Sequence, residues 1–126
     1  MALDIVTGGD IPKSHLPFSP AVRAGGFVFV SGQASVDNTG KIVVDTFDGE
    51  MRRSMENVRV ILAAAGLDFS HVVQFRGYVN LPADLPEYNR IYREYFKEPY
   101  PARTTITECL GTALKFEVDV VAYQPT

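Results

Sequence analysis

Apolar residues recur along the chain at two periods, and the change between them marks out the elements. Residues 3–7, LDIVT, form a short apolar run closed by Gly8 and Gly9 and predict a first strand. Residues 10–20, DIPKSHLPFSP, hold three of the eight prolines and predict a loop, because proline fixes φ and removes a backbone donor. Residues 21–34, AVRAGGFVFVSGQA, are two apolar stretches split by Gly25-Gly26, the pattern of a hairpin. Phe27 to Val30 is apolar on both faces, which places it centrally in a sheet. DNTGK at 37–41 predicts a turn, and Ile42-Val43-Val44 after it a further short strand.

From about Phe47 to Ala65 the period lengthens. Met51, Met55, Val58, Leu62 and Ala65 fall three and four apart, with Glu50, Arg52, Arg53, Glu56 and Arg59 off that stripe. Gly66 stands where a C-terminal cap belongs. Residues 71–80, HVVQFRGYVN, alternate as a strand. A second helix follows, with Asp84 as N-cap, Pro86 in its first turn, and Tyr88, Ile91, Tyr92, Tyr95 and Phe96 as its apolar face. Residues 103–109 and 114–123 read as two last strands around Gly111. The predicted order, β-β-β-α-β-α-β-β, makes an α+β layer with two helices on one face of a mixed sheet. The other face carries Lys115, Glu117, Asp119, Val121 and Tyr123 from the last strand, a mixed surface suited to solvent or to another subunit.

With 126 residues, 46% of them hydrophobic, the chain fits one domain, 1–126. The net charge of −3 gives no general attraction to nucleic acid or to an anionic membrane. A single cysteine, Cys109, excludes an internal disulfide and fits a reducing, cytoplasmic compartment. The first residues lack the basic and apolar regions of a secretory signal.

Few residues carry candidate chemistry. Arg103, at the head of a strand, offers a planar fork for a carboxylate; alternatively it pairs with Glu117 or Asp119 on a neighbouring strand. Glu117, if the last two strands pair as a hairpin, lies near Arg103 and orients a water, or forms a cross-strand pair. Asn89 sits beside the apolar stripe of the second helix and reads as a cleft contact or a solvated residue. Gly32, in Ser31-Gly32-Gln33, permits close approach of a ligand or marks a bulge. His15 and His71 match no metal-binding spacing, and Cys109 reads as a small strand hydrophobe.

Five stretches taken together resemble the RidA/YjgF family: SPAVRAGGFVFVSGQ, ENVRVILAAAGLDFSHVVQFRGYV, YNRIYREYF, PYPARTTI and KFEVDVVAY. The resemblance runs from about residue 14 to 123. It implies a chorismate-mutase-like α+β fold of the bacillus type, a six-stranded mixed sheet with two helices on one face. It also implies a homotrimer with clefts between subunits. The activity implied is a 2-iminobutanoate/2-iminopropanoate deaminase, hydrolysing 2-imino and 2-enamino acids to 2-keto acids and ammonia without metal or cofactor. Arg103 inherits the carboxylate-binding role, Glu117 the water-positioning role, and Asn89 and Gly32 the contacts of the family's helix asparagine and SGQ glycine. Two positions depart from the pattern: Phe18 stands where deaminases often have tyrosine, and Thr105 where cysteine is common. Some relatives are described as single-strand endoribonucleases or translation inhibitors. A non-catalytic trimer that binds a keto acid is the other alternative.

Overall fold

The first long helix begins where its cap sits. Thr46 is extended, and its Oγ1 accepts the Gly49 amide at 3.1 Å, so α1 runs Phe47–Ala64. Gly66, at φ 79°, ends it as predicted. In the computed structural model, which describes residues 2–125, the strands are β1 (Asp4–Ile5), β2 (Ala21–Ala24), β3 (Phe27–Ala34), β4 (Val72–Val79), β5 (Ala102–Thr107) and β6 (Phe116–Tyr123). The second helix, α2, spans Leu85–Tyr95. Asp84 holds its N-cap position, but its side chain caps nothing, because a 3-10 turn at Pro82–Asp84 already leads the chain into the helix.

The six strands form one mixed sheet in the order β1-β2-β3-β6-β4-β5, antiparallel except for the β4–β5 pair. The central place expected for Phe27 to Val30 is therefore met. The hairpin considered for the last two strands does not form: β4 lies between β5 and β6. The reason is the crossover. Strand β4, helix α2 and strand β5 make a βαβ unit, which returns the chain parallel to where it left. Strand β5 ends at Thr107 because Glu108 takes a left-handed φ of 64°, and Asn80 then clamps the turn by bonding Leu110 and Gly111. Cys109 is consequently an exposed loop residue and not a strand hydrophobe. Ile42-Val43-Val44 is not a strand either; it makes a single bridge, Val36 to Ile42, beside a hydrogen bond from the Val43 amide to the Ser35 carbonyl.

Both helices cover the same side of the sheet. Met51, Met55, Val58 and Leu62 of α1, and Tyr88 and Ile91 of α2, are buried against Val28, Val30, Phe75, Phe116, Val118 and Val120. The other side is open, and Phe27, Phe29 and Tyr123 stand on it 42%, 46% and 39% exposed. No helix among the described residues is long and apolar enough to cross a membrane.

One residue of α1 breaks its own periodicity. Glu50, expected on the polar face, is fully buried. Its carboxylate accepts the Lys115 amide at 3.0 Å, the Asp45 amide at 3.2 Å and the Lys115 ammonium at 3.2 Å. Burial is tolerated because every charge-assisted bond is made. Glu50→Ala is expected to orphan two backbone amides and lower stability by about 2–4 kcal/mol. Urea unfolding would read this as a lower midpoint at unchanged slope, and a loss within experimental error would refute the tethering role.

Candidate functional site

The sheet places the candidate residues in two groups, one on each face. On the helix face, Arg103 is the second residue of β5, in register with Phe75. Its guanidinium carbon lies 4.7 Å from the Tyr92 ring centroid and 5.0 Å from that of Tyr88. The aromatic faces hold the charge in place without neutralising it. Thr105 follows on the same side, sharing a 2.9 Å hydrogen bond with the Tyr88 hydroxyl. Arg103 itself is exposed. With Asn89, Tyr92, Arg93, Tyr100 and Pro101 it lines a cavity of about 230 Å³.

The structural pairing considered for Arg103 is not made. Asp119 is taken on the opposite face by Arg76, at 2.7 Å, and by the Tyr78 hydroxyl, at 2.6 Å. That bond to Asp119, with burial, pushes the Tyr78 phenol up to about 12.

Glu117 occupies the open face. Alternation along β6 buries Phe116, Val118 and Val120 under the helices and turns Glu117 away from them. Its neighbour across β4 is Tyr78 and across β3 is Ala34. Burial, and then the nearby Asp119 charge, raise the Glu117 carboxyl above the usual carboxylate range. The sequence-level picture of an acid kept ionised by an adjacent Arg103 is therefore not realised within one chain, since the two side chains leave the sheet on opposite faces. Gly32 approaches Glu117 so closely that a Cβ there would overlap the carboxylate. It also lies within a bulge between Val30 and Gln33, the alternative the sequence offered for Gly32. Phe18, half exposed in the proline-rich loop, joins Gly32, Leu114 and Glu117 around a second cavity of about 320 Å³.

Arg103 and Asn89 thus share one cavity, with Thr105 tied to Tyr88 behind it, and Phe18, Gly32 and Glu117 share another. Reading the sequence for polarity missed Tyr88 and Tyr92 as supports for the arginine, since tyrosine on a helix stripe reads as core. The signal available was their spacing of four on the helix that precedes the Arg103 strand.

Fold and cavities define the class first: an α+β layer protein with small, largely apolar clefts, each holding a few charged or polar side chains, on either side of its sheet. The chain belongs to the RidA/YjgF family, and the family model that matches it, over residues 9–124, is described as Endoribonuclease L-PSP. A RutC family protein of Pyrococcus horikoshii is 32% identical, over 96% of this chain and 98% of its own. The 2-iminobutanoate/2-iminopropanoate deaminase of Homo sapiens is 30% identical, over 95% of this chain and 89% of its own. Among solved structures, E. coli TdcF with bound serine has a TM-score of 0.84 at 30% identity, covering 96% of this chain and 98% of that one.

Proposed function

We propose that the protein hydrolyses reactive 2-imino and 2-enamino acids to 2-keto acids and ammonia, in sites shared between the subunits of a homotrimer. The observation that carries this reading is Arg103. Its fork is rigidly based on a strand, backed by two tyrosine rings, and free of any acidic partner among the described residues. A carboxylate entering that cavity finds paired charge-assisted donors already in place. The human relative's name and the serine bound to TdcF support a small amino-acid-derived ligand.

The two groups of residues face opposite ways, so one chain cannot bring Arg103 and Glu117 to one substrate. A second copy can. The free edge of β5 and the exposed Phe27, Phe29 and Tyr123 supply pairing groups and apolar area for such a contact. In the assembled site, Arg103 fixes the substrate carboxylate. Glu117 of the adjoining subunit accepts a proton from water as it adds to the C=N carbon. The resulting carbinolamine takes that proton at its nitrogen, gives its hydroxyl proton to the Glu117 carboxylate, and expels ammonia to leave the ketone. Positioning supplies most of the effect, because the imine is already electrophilic.

The arginines also weigh against an RNA-cleaving role. Among the described residues, Arg52, Arg53, Arg59, Arg76 and Arg90 are each bonded to carboxylates, which leaves few free cations to track a phosphate backbone. The decisive assay generates 2-iminobutanoate in situ with an amino-acid oxidase and traps the surviving imine with semicarbazide. Added protein is expected to suppress trapping and speed 2-oxobutanoate release; an unchanged trapping yield would rule out the activity.

A further inference from the structure

Resting on the reading that Arg103 holds the substrate's 2-carboxylate, we infer that the cavity is built for a second anionic group, bound by Arg93. The preferred class is then the short-chain 2-imino dicarboxylic acids and their keto products.

Charge pairing sets Arg93 and Arg103 apart from the other arginines. Five of those form ion pairs with Asp or Glu, and Arg23 donates to the Ala65 carbonyl at 3.1 Å. Arg93 and Arg103 have no carboxylate partner among the described residues, and both line the same cavity. The acids nearest to Arg93 along α2 are already committed. Glu94 binds Arg52 at 3.0 Å and Arg90 at 3.3 Å, while Glu87 binds Arg90 at 2.6 Å. Two guanidinium groups that share a cleft without a counter-ion repel each other and favour an anion between them, a dianion more than a monoanion.

The rest of the lining fits such a ligand. Asn89 and Arg93 stand four apart on α2, on one helix face, so amide and guanidinium reach the same space. The rings of Tyr92 and Tyr100, with centroids 6.1 Å apart, wall it with apolar surface for a carbon chain. At about 230 Å³ the part of the cleft that this chain supplies is smaller than the roughly 300–1,000 Å³ of sites for drug-sized molecules, in keeping with a short carbon chain.

Two stable keto acids of equal chain length test the inference by calorimetric titration: 2-oxopentanedioate, with two carboxylates, and 2-oxopentanoate, with one. Wild type is expected to bind the dicarboxylate about tenfold more tightly. Arg93→Gln should abolish that preference, weakening 2-oxopentanedioate about tenfold more than 2-oxopentanoate, and Arg103→Gln should weaken both. Equal affinities in wild type, or a preference that survives Arg93→Gln, would overturn the role of Arg93 alone. If Arg103→Gln binds both acids as well as wild type, or neither acid binds wild type, the carboxylate role of Arg103 fails and the inference falls with it.

Discussion

Arg103→Ala is expected to lower kcat/KM for in situ generated 2-imino acids by about 100- to 1,000-fold, the equivalent of leaving a partly buried carboxylate without its partner. The loss should be specific. Arg103 is exposed and makes no ion pair with any described residue, so removing it breaks no acidic partner in the fold. Its one support is aromatic, and relief of the contact with Tyr88 and Tyr92 should move the melting temperature little. Arg103→Lys separates charge from geometry. An ammonium keeps the attraction but lacks the planar fork, so an intermediate loss of about tenfold is expected. Deamination by Arg103→Ala at the wild-type rate, in a protein with wild-type unfolding, would remove Arg103 from the site altogether.

Local rules made most of the fold legible. Period and punctuation located both helices, because the apolar stripe of α1, Gly66 and the tyrosine-rich stripe of α2 act within a few residues of themselves. Strand order was less accessible. That β6 lies between β3 and β4 depends on a crossover and on the Asn80 clamp, whose partners are thirty residues away in sequence. The same non-local step split the site. Arg103 and Glu117 were each identifiable by type and motif, but their faces follow from strand register, and register placed them back to back. Glu50 was unreadable for a related reason: its burial is made possible by Lys115, a residue of a different element.

Glu117→Gln should behave in the opposite way to Glu50→Ala, losing activity while keeping or gaining stability. An amide of the same shape cannot take a proton from water, and loss of a positioned acid–base group costs typically 10²- to 10⁴-fold in rate. The carboxyl it replaces is held above its usual range by burial and by Asp119. A carboxyl raised in the folded state contributes stability below its unfolded pKa and loses it as pH rises through the folded one. At neutral pH the glutamine variant, which never ionises there, is therefore expected to unfold no earlier than wild type. The wild-type pH–rate profile should have its acidic limb above the ordinary glutamate range, and that limb should vanish in the variant.

Because Arg103 and Glu117 occupy opposite faces, the two inactive variants should also complement each other. In the proposed trimer, each seam would draw its arginine from one subunit and its glutamate from the next. In an equal mixture of Arg103→Ala and Glu117→Gln chains, refolded together, about one seam in four combines an intact arginine with an intact glutamate. Activity near a quarter of wild type is the expected result. A mixture as inactive as its parents would mean that both residues must come from one chain, which the sheet geometry forbids, and the shared-site mechanism would then have to be abandoned.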